Sequence, residues 1–283
     1  MNAAMNLFPA FKARYGSWAV VAGASEGLGS AYAHALAERG LNVLTIARRL
    51  PALERDAQLI RDRYRVQVRT LALDLSTQEA AAEFAQAIAD LDIGLLVCNA
   101  ALWLIEEFSA SELRQHQRMV DLNCRSILSL VHPLAQRFQA QKRGGIVIMS
   151  SLSGMQGAAL LGTYAATKAF DTVLAEGLWA ELHPYGVDVL ACVAGAMATP
   201  GFYQVTPASQ QARALPAYPG EVARRTLDAL ADKKQQPIFI PAAGPLWANA
   251  LGRLMTRAAR VRFFSRMNRQ IYGQAMQTQK NDL

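Results

Sequence analysis

Short apolar runs alternate with longer helical stretches along most of this chain, and that rhythm admits few folds. The runs Trp18–Ala22, Asn42–Ala47, Val66–Leu73, Ile93–Cys98, Gly145–Ser150, Val187–Val193 and Pro237–Ile240 read as strands. Helical patterns fill the gaps near Ser30–Arg39, Pro51–Tyr64, Thr77–Asp90, Ser111–Gln141, Thr163–His183 and Glu221–Asp232. Parallel neighbours need a crossover too long for a hairpin, usually a helix. The pattern therefore predicts a doubly wound α/β domain: a mainly parallel seven-stranded sheet with helices on both faces. Ser76 with Glu79 and Ser109 with Glu112 have the spacing of capping boxes and mark two helix starts. The domain is expected over residues 1–244, followed by a helical tail over 245–283.

Directly after the first strand stands Gly23-Ala24-Ser25-Glu26-Gly27-Leu28-Gly29, opening a helix. Glycines let a backbone turn tightly and approach a ligand closely. The free amides and positive dipole of a helix start suit a pyrophosphate. Such a turn also serves as a plain bend, but after strand one of an alternating α/β pattern it points to a dinucleotide. Gly23, Ser25, Glu26, Gly27, Leu28 and Gly29 are the candidate contacts. The second strand ends Ile46-Ala47-Arg48-Arg49, with no carboxylate to bind the ribose hydroxyls of NAD. Two guanidinium groups there suit a 2′-phosphate, so NADP(H) is expected over NAD(H), with Arg48 the first contact and Arg49 the second.

Tyr164 and Lys168 lie four residues apart in a helical stretch, and so share one face. An ammonium beside a phenol favours phenolate and makes the tyrosine a proton donor near neutral pH. Ser151 ends the preceding apolar run. Cys98, Cys124 and Cys192 sit in apolar surroundings without paired spacing, which fits reduced core residues of a cytoplasmic protein. His34, His116, His132 and His183 have no metal-ligand spacing, so no metal is expected. At 52% apolar and 18% charged residues the chain is globular, and no uncharged run is long enough to cross a bilayer.

These residues resemble the short-chain dehydrogenase/reductase family in its single-domain, Rossmann-type form, from roughly Trp18 to Pro241. The resemblance adds Asp74-Leu75 after the third strand, Asn99-Ala100-Ala101 after the fourth, Asn123 in the long helix, and the loop from Gly195 to Thr199. Leu91-Asp92-Ile93-Gly94-Leu95-Leu96-Val97 and Ala47-Arg48-Arg49 also look like the 17β-hydroxysteroid dehydrogenase and 3-ketoacyl-CoA reductase branch. The resemblance implies that Tyr164 protonates the carbonyl oxygen as hydride leaves the nicotinamide, while Ser151 hydrogen-bonds the same oxygen. It implies that Lys168 holds the nicotinamide ribose, and that Asn123 organises a water leading from Lys168 to solvent. Asp74 would bind the adenine amino group beside Leu75, and Thr199 the carboxamide. Ala22, Cys98, Ala101 and Ala194 depart from the family's usual residues, but none removes a catalytic group.

The loops expected above the site carry Leu102, Trp103, Met155, Leu160, Leu161, Met197, Phe202 and Tyr203. Trp103, Met155, Leu161, Met197 and Phe202 are the candidate substrate pocket, and the stretch Pro200–Pro219 a candidate lid. An apolar ketone or secondary alcohol is expected, steroid-like or long-chain acyl. Packing alone would use the same residues. Most of the formal charge of +7 sits in the tail, where Arg253, Arg257, Arg260, Arg262, Arg266, Arg269 and Lys280 face Asp282 alone. Trp247, Leu251, Leu254, Ala258 and Val261 share one face; Phe264, Met267 and Ile271 share another, so two helices with a break near Arg262 are expected. The tail is read three ways: against its own domain, on a second subunit, or at an anionic membrane surface. A nucleic-acid partner is not expected, because the rest of the chain offers no basic face. The family's pairing helices imply a homodimer or homotetramer. The leading reading is an NADP(H)-dependent ketone reductase or alcohol dehydrogenase. A catalytically silent NADP-binding sensor or scaffold, and a membrane-surface lipid ketoreductase, stay open.

Overall fold

The computed structural model describes residues 7–211, 215–241 and 255–281. Its strands are β1 (Trp18–Ala22), β2 (Asn42–Ala47), β3 (Val68–Ala72), β4 (Ile93–Cys98), β5 (Gly144–Ser151), β6 (Val187–Ala194) and β7 (Ile238–Phe239). They form one parallel sheet in the order β3-β2-β1-β4-β5-β6-β7. The helices are α1 (Leu7–Tyr15), α2 (Gly27–Glu38), α3 (Leu50–Tyr64), α4 (Ala80–Ala87), α5 (Leu113–Val120), α6 (Ser126–Gln141), α7 (Gly162–Leu182), α8 (Pro200–Val205), α9 (Ala208–Gln211), α10 (Pro219–Ala231) and α11 (Arg257–Asn281).

Side chains along a strand alternate between the two faces of a sheet, and here both faces are buried. Ala19, Val21, Leu95, Val97, Val147 and Met149 enter one core with the apolar faces of α2, α3 and α10. Val20, Ala22, Leu96, Cys98, Ile146 and Ile148 enter the other, against α4, α6 and α7. Continuous rather than alternating apolar runs are what a twice-covered parallel strand requires. Strand order reverses between β1 and β4, so a crevice opens beyond the carboxyl ends of these two strands.

Several local expectations are corrected. Ser76 caps no helix: its amide and hydroxyl both bond Asp74 Oδ1, at 3.0 and 2.6 Å, and α4 starts later. Such local side-chain bonds compete with helix capping. Ser109 lies in a turn, and α5 is closed instead by the Glu112 amide donating to Gln115 Oε1 at 3.2 Å. The long helix over Ser111–Gln141 carries a π-turn at Asp121–Arg125. The stretch Pro200–Pro219 is no open loop where described. It holds α8 and α9, and Ala198 and Ala217 each donate to the other's segment at 2.9 Å. Trp247, Leu251, Arg253 and Leu254 of the tail lie outside the described residues. Beyond them α11 runs unbroken through Arg262.

Candidate active site

The glycine turn sits at the crevice, and its glycines are required by contact. Gly23 has φ +82°, and a Cβ there would stand 2.6 Å from the Ala100 nitrogen and Cα. A Cβ on Gly29 would strike the Gly23 carbonyl. Gly27, at φ +61°, faces the Thr199 side chain, whose methyl would lie 3.0 Å from an added Cβ. Asn99 Nδ2 donates to the Gly23 carbonyl at 2.9 Å and fixes the loop after β4 against the turn. Gly23, Gly27, Gly29, Asn99, Ala100 and Thr199 thus come from three distant segments to one place. Leu28 is buried beneath the turn, and Ser25 and Glu26 stand at its rim.

Arg48 and Arg49 are exposed at the end of β2. Arg49 reaches Glu26 Oε2 at 2.8 Å and Ser25 Oγ at 3.4 Å, on the rim of the same turn. Arg48 faces Asp74, whose carboxyl lies below its ordinary range. Burial works to raise that carboxyl, but hydrogen bonds from Ser76 and the charges of Arg118 and Arg48 prevail. Asp74 Oδ2 takes Arg118 at 3.0 Å, and Leu75 is buried in the core beside it. A small glycine-walled turn of this kind fits a nicotinamide dinucleotide, and two exposed guanidinium groups flank it. The Thr199 hydroxyl accepts from the Phe202 amide at 3.3 Å as the cap of α8, and Gly195 follows β6 against Leu152.

The end of β5 is tied to Lys168 through consecutive residues. Lys168 Nζ donates to the Met149 carbonyl at 2.8 Å, and Ser150 Oγ donates to the Lys168 carbonyl at 2.6 Å. Ser151 then accepts from the Ser153 amide at 3.2 Å. Gly154 brings the following turn within 2.7 Å of the Lys168 backbone, measured from the Cβ it lacks. Lys168 Nζ lies 5.9 Å from the centroid of the Tyr164 ring. Tyr164 and Lys168 thus stand together on one face of α7. Asn123 is fully buried inside the π-turn. Its Oδ1 accepts from the Leu102 amide at 2.8 Å, and its Nδ2 donates to the Leu102 carbonyl at 2.8 Å and to Thr167 Oγ1 at 3.0 Å. π-Turns recur at functional sites because they aim one side chain inward.

Of the expected pocket residues, Trp103 and Met155 are exposed, as is Tyr203 of the neighbouring loop. The Trp103 ring packs against Gly201 of α8, where a Cβ would stand 2.7 Å away. Phe202 stacks edge-on to Tyr203 at 5.2 Å. Met197 packs partly into the core and bridges to Ala217, while Leu160 is buried at φ +71° with the half-buried Leu161 beside it.

Four residues absent from the sequence reading complete the site. Ser265 accepts from the Ala159 amide at 2.9 Å, and Asn268 donates to the Ala159 carbonyl at 3.0 Å. One turn on, burial raises the Tyr272 phenol, which lies near Thr206 and Tyr164. The tail therefore lies on its own domain through Ser265, Asn268 and Tyr272. Met267 is exposed rather than inward, because two polar bonds to the loop, not apolar periodicity, set the phase of the helix. Asp171, the fourth, pairs with Lys168 at 2.9 Å.

Among the described residues, no helix is long and apolar enough to cross a membrane. A family model described as short chain dehydrogenase matches residues 17–210. A 7beta-hydroxysteroid dehydrogenase of Clostridium sardiniense is 33% identical over 223 residues, 79% of this chain and 85% of that protein. A very-long-chain 3-oxoacyl-CoA reductase of Danio rerio is 32% identical over 182 residues, 62% of this chain and 56% of that protein. A solved structure of a 7beta-hydroxysteroid dehydrogenase superposes with a TM-score of 0.82 at 26% identity, covering 89% of this chain and 98% of the other. With the sheet order and the glycine turn already in hand, these matches make the chain a member of the short-chain dehydrogenase family, an oxidoreductase that moves hydride between a nicotinamide cofactor and a CH–OH or C=O group.

Proposed function

We propose that this enzyme interconverts a bulky apolar ketone and its secondary alcohol with NADP(H), and that Tyr164, Ser151, Lys168 and Asn123 form its catalytic set. The observation that supports this reading is the bonding of Lys168 to the end of β5, which ties the Tyr164–Lys168 face of α7 to the strand end that carries Ser151. A bound nicotinamide supplies or accepts the hydride. Tyr164 gives its phenolic proton to the carbonyl oxygen, and Ser151 donates a hydrogen bond to it as negative charge grows. Lys168 holds the ribose and steadies the phenolate left behind. Asn123 keeps the Leu102 loop and α7 in register around a proton path to solvent.

Gly23, Ser25, Glu26, Gly27, Leu28, Gly29, Asn99, Ala100, Ala101 and Gly195 wall the cofactor cleft. Arg48 and Arg49 take the 2′-phosphate, Asp74 and Leu75 the adenine, and Thr199 the carboxamide. The preference for NADP(H) rests on the two exposed guanidinium groups at the end of β2, where NAD binders need a carboxylate. The apolar rim of Trp103, Met155, Phe202 and Tyr203 supports a steroid-like or long-chain acyl substrate, the classes named for the two relatives above.

The test is NADPH oxidation by the purified protein against a panel of apolar ketones, with NADH and Tyr164→Phe in parallel. Turnover with NADPH that vanishes in Tyr164→Phe is expected. Tight NADPH binding without turnover of any ketone or alcohol would instead favour a cofactor-binding sensor.

A further inference from the structure

Asp171 lies one helical turn beyond Lys168 on α7, at 0% exposure, and no step above uses it. Its Oδ2 accepts from Lys168 Nζ at 2.9 Å. Its Oδ1 has no hydrogen-bond partner among the described residues. The Met149 carbonyl takes a second ammonium hydrogen, and an ammonium has three, so one is left for the cofactor. The other titratable groups facing this pair are Cys98 on β4, Cys124 in the π-turn and Tyr164 on α7 itself. Burial raises both thiols, so neither competes with Asp171 as an anion near neutral pH.

As packing alone, the carboxylate is a poor choice. A buried ion pair with an orphaned oxygen gains little over an apolar side chain of similar volume, yet removing one member strands the other's charge. Lys168 itself is only 3% exposed. Lysines this deep without an anion give up their proton several units below their ordinary value. Burial does pull Lys168 down, and the charge and hydrogen bond of Asp171, with Tyr164, hold it above that value. Burial pushes Asp171 up to about 6 against the pull of Lys168, which still leaves a carboxylate at neutral pH.

We propose that Asp171 is a positioning residue of the hydride-transfer site, the counter-ion that keeps Lys168 charged and fixed beside Met149; this rests on the role given above to Lys168. The pH dependence of ketone reduction at saturating NADPH tests it, with wild type, Asp171→Asn and Asp171→Glu compared and NADPH affinity and melting temperature followed on each. Activity is present while Lys168 is protonated and lost as pH rises through its pKa. In Asp171→Asn the alkaline limb is therefore expected about one pH unit or more lower, with kcat changed more than the KM for ketone. Asp171→Glu is expected to keep the limb nearer its wild-type place. A rate lowered equally at every pH, with the limb unmoved, would overturn the proposal.

A second readout needs neither turnover nor a folded Asn variant. In wild-type holoenzyme labelled with carbon-13 at lysine Cε, the Lys168 signal is assigned by its loss in Lys168→Met. It is expected to keep its charged position to about pH 9. A Lys168 that titrates near neutrality in the wild-type protein would overturn the proposal by itself. A charged Lys168 in a protein that turns over no ketone or alcohol would sink the reductase reading and leave the pairing standing.

Discussion

Asn123 and Thr167, on different helical segments, meet through a 3.0 Å hydrogen bond from Nδ2 to Oγ1. The same Asn123 side chain brackets both backbone polar groups of Leu102. One amide thus fixes the π-turn, the loop after β4 and the helix of Tyr164 and Lys168 relative to each other. Asn123→Ala leaves Leu102 N–H and C=O without their partner. Leu102 is half-buried, and a typical hydrogen bond contributes a net of about 1 kcal/mol, so a loss of about 1–3 kcal/mol is expected in urea unfolding. An unchanged midpoint would mean that water replaces these bonds at no cost.

On the proposed NADP(H) reading, the two exposed arginines after β2 tell the cofactors apart. A charge-assisted hydrogen bond contributes about 1.5–3 kcal/mol, so Arg48→Ala is expected to weaken NADPH binding roughly 10- to 100-fold, with NADH affected little. Arg49→Ala acts in the same direction and also leaves the Glu26 carboxylate without its 2.8 Å partner at the rim. Fluorescence titration of both cofactors checks this. Equal losses for NADPH and NADH would remove the 2′-phosphate assignment.

Gly23→Ala meets two obstacles together. Its φ of +82° is unfavourable for any side chain, by about 1–2 kcal/mol, and the new methyl points at backbone atoms of Ala100, which cannot swing aside. Stability is expected to fall by at least that amount, and NADPH affinity by about tenfold or more. A variant that binds normally would place the pyrophosphate elsewhere.

Ser265 and Asn268 grip one residue of the loop between β5 and α7 by both its amide and its carbonyl. Each bond contributes a net of about 1 kcal/mol. Ser265→Ala with Asn268→Ala is expected to speed proteolytic cleavage within residues 156–161 and to raise the KM for bulky ketones, with NADPH affinity near wild type. If proteolysis stays unchanged, the grip does not order the loop.

Acid sensitivity has a local source at the amino end of the sheet. Burial acts to raise the Asp92 carboxyl, but Arg143 and the Ser17 amide outweigh it and hold it below its ordinary range. A carboxyl lowered on folding contributes stability above its unfolded value of about 3.9, and that contribution is lost as pH falls through the folded value. Melting temperature measured from pH 6 to pH 3 is expected to fall less steeply in Asp92→Asn than in wild type, although the variant starts lower. Parallel curves would show that Asp92 plays no part.

What the sequence made legible is what is local. Period and composition place the central strands, since a strand buried on both faces needs an uninterrupted apolar run, as in Val20-Val21-Ala22 or Leu95-Leu96-Val97. The glycine turn and the Tyr164–Lys168 spacing are readable because their meaning lies within one turn of helix or loop. Asp171 is equally close in sequence to Lys168, yet nothing in the order of residues tells a buried anion from a solvated one. Ser265 and Asn268 are beyond reach for another reason: their partner, Ala159, lies more than a hundred residues away and is bonded through its backbone, which carries no side-chain signature. The helix of the tail follows the same logic, since a periodicity count weighs Met267 as a core residue and Asn268 as surface, and the loop reverses them.

The grip of α11 on Ala159 also sets an order of assembly in time. During synthesis the glycine turn and the Tyr164 helix are made long before residue 265. A nascent or carboxy-terminally clipped chain therefore has the glycine turn and still lacks the clasp on Ala159, so that, on the proposed function, the part that holds the nucleotide is made before the part that braces the loop beside the substrate.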